Sequence, residues 1–261
     1  MAFQFTPEDF ERYVKASEHG GRHIWHELEG RLSTQYDVPF TTDHYARRRD
    51  PLQLLWLRPA QSPRENWMYQ AKLFLSRIMH QSLFVGLHIQ RPPLDFFSPE
   101  QAAKEGWRPP SDGVRFLERL RSDSEFRSLV GQLLDQPQWE ADIKLWDGVE
   151  LFRDHDVIES LLSIEPEPNS QGLDIYFGRT IPKDEAIAAG EAIVDQIVEA
   201  YQTLDPVWMQ SIPDEESTYL MLGGPSAGVT SSAGTSLSKS NRRKPELRDR
   251  LLGLIKTQLE A

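Results

Sequence analysis

The chain has 261 residues, 39% hydrophobic and 26% charged, enough apolar material for a packed body and incompatible with disorder throughout. It has no cysteine, which removes disulfides, Cys-ligated zinc and thiol nucleophiles together. A net charge of −11 disfavours unselective binding to nucleic acid or to an anionic membrane.

No apolar run approaches the roughly 20 residues of a spanning helix, and MAFQFTPEDFERYV lacks the basic flank and apolar stretch of a secretory signal. The expectation is a cytoplasmic protein with no membrane partner. Thr6, Pro7, Glu8 and Asp9 form a helix start, with Phe10, Tyr13 and Val14 following at helical spacing. Gly20 and Gly21 interrupt that helix, and a second helix runs from about Arg22 to Leu32 with Ile24, Trp25, Leu28 and Leu32 on one face. His19, His23 and His26 would share a face of an unbroken helix, as metal-binding histidines do. The glycine pair separates the first from the others, so they read as surface residues. Arg47, Arg48 and Arg49 then form a compact guanidinium cluster suited to phosphate or carboxylate.

Three strand signals follow. LQLLWLRP is a short apolar run. ENWMYQAKLFLSR places Trp67, Tyr69, Ala71, Leu73 and Leu75 on one face. SLFVGLHIQRP does the same with Leu83, Val85, Leu87 and Ile89. Short polar connections predict an antiparallel meander of half-buried strands, with His88 on the exposed side. After a proline-rich stretch, the spacing predicts helices over 113–121 and 124–134. A strand in QWEADIKLW, a short helix near 156–162, a strand in GLDIYFGR and a long helix from Pro182 to about Leu204 complete the body. The predicted fold is α+β: a single domain over residues 1–220, with an antiparallel sheet of about five strands covered by helices.

Residues 221–241 are rich in Gly, Ser, Ala and Thr and read as a flexible linker. Residues 242–261 read as a basic amphipathic helix with Leu247, Leu251 and Ile255 on one side. From Lys239 to Ala261 there are seven Lys or Arg and three Asp or Glu, a net +4, leaving −15 on the rest of the chain. So short a helix is not stable alone and must dock on the body or on a partner.

In QWEADIKLW, alternation puts Glu140, Asp142 and Lys144 on one face and Trp139, Ala141, Ile143 and Leu145 on the other. Asp142-Ile143-Lys144 resembles the metal-binding strand of PD-(D/E)xK nucleases. That resemblance implies that Asp142 and an upstream acid, for which Asp135 is the nearest candidate, hold Mg²⁺ while Lys144 positions the attacking water. The residues themselves equally describe an ordinary strand with a solvated charged face, and that is the reading taken. The sequence shows no phosphate loop, nucleophile elbow or H-E-x-x-H helix. The functional expectation is a non-catalytic binding or adaptor component of a larger cytosolic complex. It would dock a protein partner through Leu247, Leu251 and Ile255 and through Arg47, Arg48 and Arg49, without a cofactor. The alternative is the Mg-dependent nuclease using Asp135, Asp142 and Lys144.

Overall fold

A computed structural model describes residues 2–12, 14–46, 53–60, 70–78, 81–93, 111–145, 150–152, 157–166 and 171–212. Its centre is one antiparallel sheet. The strands are β1 (Phe40–Ala46), β2 (Gln53–Pro59), β3 (Lys72–Ile78), β4 (Ser82–Arg91), β5 (Glu140–Leu145), β6 (Glu150–Phe152) and β7 (Leu173–Pro182). Their order is β1-β2-β3-β4-β7-β5-β6. Six strands have six residues or more, and β6 is a three-residue edge strand. The expected meander is β2-β3-β4. The two strands absent from the sequence reading are the outer ones, β1 and β6.

The helices are α1 (Ile24–Tyr36), α2 (Asp112–Ser122), α3 (Ser124–Leu134), α4 (Val157–Ser163), α5 (Lys183–Ala188) and α6 (Ile193–Ser211). Alternation along the strands divides the sheet. Leu55, Leu57, Leu73, Leu75, Leu83, Val85, Leu87, Ile89, Ile143, Leu173, Ile175 and Phe177 join the buried side chains of α1, α2, α3 and α6 in one apolar core. This is an α+β domain whose core lies between the sheet and its helices. The first face is pinned by polar tips as well. Trp208 of α6 donates to the Ala71 carbonyl at 2.9 Å, and Tyr201 donates to the Phe74 carbonyl at 3.2 Å.

Two predicted helices take different forms. The N-terminal one is a 3-10 turn, Pro7–Phe10, followed by another at Ala16–His19. Asp9 closes the start of the first turn as a capping box: its carboxylate turns back to accept from the Thr6 N–H at 2.8 Å and the Thr6 hydroxyl at 2.9 Å, and it meets His19 Nε2 at 2.8 Å. His19 is therefore held inward rather than displayed. Gly20 and Gly21, at φ 67° and 90°, then turn the chain into α1. The long helix predicted from Pro182 is broken at Gly190, whose φ of 56° is left-handed, and α6 starts afresh at Ile193. It continues past Leu204 through Pro206, which has no N–H to give the turn before it. Burial of Val207 and Trp208 holds this last turn in place.

Candidate functional site

The opposite face of the sheet is where charge and aromatic rings meet. Its register places Lys72, His88, Tyr176 and Asp142 in one row across β3, β4, β7 and β5. Gln90, Asp174 and Lys144 form the neighbouring row. Trp56, Phe74, Phe84 and Tyr176 surround these groups with rings in mutual contact, and His88 stacks on Tyr176 at 4.4 Å. In the middle, Gly86 pairs with Gly178. A Cβ at Gly86 would collide with the Phe177 carbonyl, and one at Gly178 with the Val85 carbonyl and the tip of the Phe84 ring. Only glycine permits this close approach.

The sheet is thus buried on both faces at its centre, β3, β4 and the first part of β7, rather than half-buried. His88, expected to be exposed, has no exposed surface, and neither has Lys72; Gln90, Asp174 and Lys144 are also buried. The His88 hydrogen bonds define its tautomer. Trp56 Nε1 can only donate, so His88 Nδ1, 2.9 Å away, accepts. The proton is on Nε2, which donates to Asp174 Oδ1 at 2.9 Å. Gln90 Nε2 donates to the same oxygen at 2.9 Å, which leaves Gln90 Oε1 to accept from Lys72 Nζ at 3.2 Å. Burial lowers the His88 pKa and outweighs the Asp174 carboxylate, which pulls the other way. Protonation of Nδ1 would also set it against the Trp56 donor. The imidazole is therefore neutral and both its nitrogens are engaged.

Lys72 is the second buried base in this group. Burial pushes its pKa down to about 7; Asp43, Asp174 and Asp112 favour the charged form and Arg58 opposes it. Asp112 itself anchors the start of α2 to the sheet by accepting from the Ala71 N–H at 2.7 Å. A Cβ on the next residue, Gly113, would collide with the Gln90 backbone, so this glycine lets α2 sit against β4. At the β1–β2 side, Arg58 pairs with Asp43 at 3.3 Å.

The sequence-derived candidates separate. Asp142 and Lys144 do come together, Nζ to Oδ2 at 3.0 Å. Lys144 is buried rather than solvated, whereas Glu140, two residues before Asp142, is exposed and accepts from Thr180. Asp142 Oδ1 has no hydrogen-bond partner. Asp135 is exposed at the C-terminal cap of α3, off the strand. Arg47, Arg48, Arg49, Leu247, Leu251 and Ile255 lie outside the described residues, as do the predicted linker and terminal helix.

Lys72, His88, Gln90 and Asp174 escaped the sequence reading as a group. The signal was the alternation itself. Trp56, Phe74, Phe84 and Tyr176 occupy positions that a one-sided sheet gives to solvent. Large aromatics on both faces of adjoining strands indicate burial on both. Among the described residues, no group of three or more His, Cys, Asp or Glu is placed to hold a metal, and no helix is long and apolar enough to cross a membrane. Comparison with protein-family models, curated proteins and solved structures finds no match to the chain.

Proposed function

We propose that the chain is a non-catalytic binding or adaptor component of a larger assembly, docking a protein partner through its C-terminal basic segment. The observation that carries this reading is that the groups at the centre of the polar face bond to one another. Both His88 nitrogens are engaged, Gln90 and Asp174 bond to each other, and Lys144 holds Asp142. Such a network works as scaffold. Recognition then falls to the basic segments of the sequence, Arg47 to Arg49 and the +4 tail attached to a −15 body. Leu247, Leu251 and Ile255 supply the apolar stripe that a partner groove would take.

The test is capture of complexes from the source cytosol on full-length protein and on the Leu251→Asp/Ile255→Asp double variant. One stoichiometric partner retained by the wild type and lost by the variant is the expected result. Equal retention by both would exclude the tail as the docking element, and no partner with either would sink the adaptor reading.

One observation favours a second reading. Asp142 Oδ1 is without a hydrogen bond while Oδ2 faces Lys144, leaving a carboxylate oxygen for Mg²⁺ in the nuclease alternative. Titrating Mg²⁺ or Mn²⁺ with supercoiled DNA tests it: cleavage by the wild type and none by Asp142→Ala would put this reading first.

A further inference from the structure

We draw no further inference here: the strongest candidate, the exposed surface patch of Asp184, Glu185, Glu191, Asp195 and Glu199 along α5 and the first half of α6, is a cluster of acidic side chains, and nothing in the structure shows what covers it.

Discussion

At the centre of the sheet both faces are buried, and they are held by different physics. Under the helices, Leu73, Leu87, Ile175 and their neighbours gain from non-directional burial, on the order of 1.5–3 kcal/mol for each large side chain. On the other face, Lys72, His88, Gln90 and Asp174 gain nothing from leaving water; each is stable there only because a partner in the correct orientation meets it. The first face should accept volume-conserving exchange. The second should not, because removing one member strands the rest.

Asp174→Ala is the strongest way to break the comparison. It removes the acceptor shared by His88 and Gln90 and leaves buried donors without a partner. A loss of about 3–5 kcal/mol in urea unfolding is expected, as for a buried pair with one partner removed. Asp174→Asn keeps an acceptor oxygen and should recover much of that. On the apolar side, Leu87→Ala should cost about 2–5 kcal/mol. Its signature is different: because no titrating group is touched, the loss should be the same at pH 6 and at pH 9. A loss that varied with pH would mean that the two faces are energetically coupled through β4.

Trp56→Phe sharpens the contrast on a smaller scale. Ring volume is mostly kept, and the donor to His88 Nδ1 is removed. A cost of about 1–3 kcal/mol is expected near pH 8 for the unsatisfied nitrogen. The folded His88 pKa lies below 6.5, so wild-type stability falls as pH drops from 6.5 toward it. With Nδ1 released from its donor, protonation becomes easier. The acid loss should therefore be smaller in the variant, and the two unfolding curves should converge as pH falls.

Sequence pattern reached the apolar face almost completely. Ile24, Trp25, Leu28 and Leu32 of α1, the Leu83-to-Ile89 series of β4 and the bounds of α3 are where periodicity puts them. The outer strand β1, FTTDHYA, has too little apolar alternation to register, and its pairing with β2 is a tertiary fact. The polar face was hidden for another reason. Asp174 lies 86 residues beyond His88, and only strand order brings it into the row beside Lys72 and His88. Alternation alone assigned His88 to solvent. The second set of aromatics, Trp56, Phe74, Phe84 and Tyr176, carried the information needed to reverse that assignment. Asp142 and Lys144 were legible as a pair because they share one strand; the burial of Lys144 was not, since it depends on β7 beside it.

The smallest expected effect lies at the edge of the apolar core, where one polar contact imports the logic of the other face. Tyr36 of α1 donates to Asp205 of α6, and Tyr36 also packs edge-on against Trp208 at 5.9 Å. Burial raises the Asp205 pKa to about 6, while the Tyr36 hydroxyl pulls it down. The folded pKa is above the ordinary 3.8, so this carboxyl favours folding most below 3.8, and that contribution is lost as pH rises through about 6. Tyr36→Phe keeps the ring packing and removes only the donor. It should cost about 1 kcal/mol where Asp205 is ionised, near pH 7.5, and less near pH 5, where the carboxyl is protonated and the bond is weaker. A penalty that grew toward acid would show that Tyr36 stabilises the protonated carboxyl instead, and would reverse the sign of this contact.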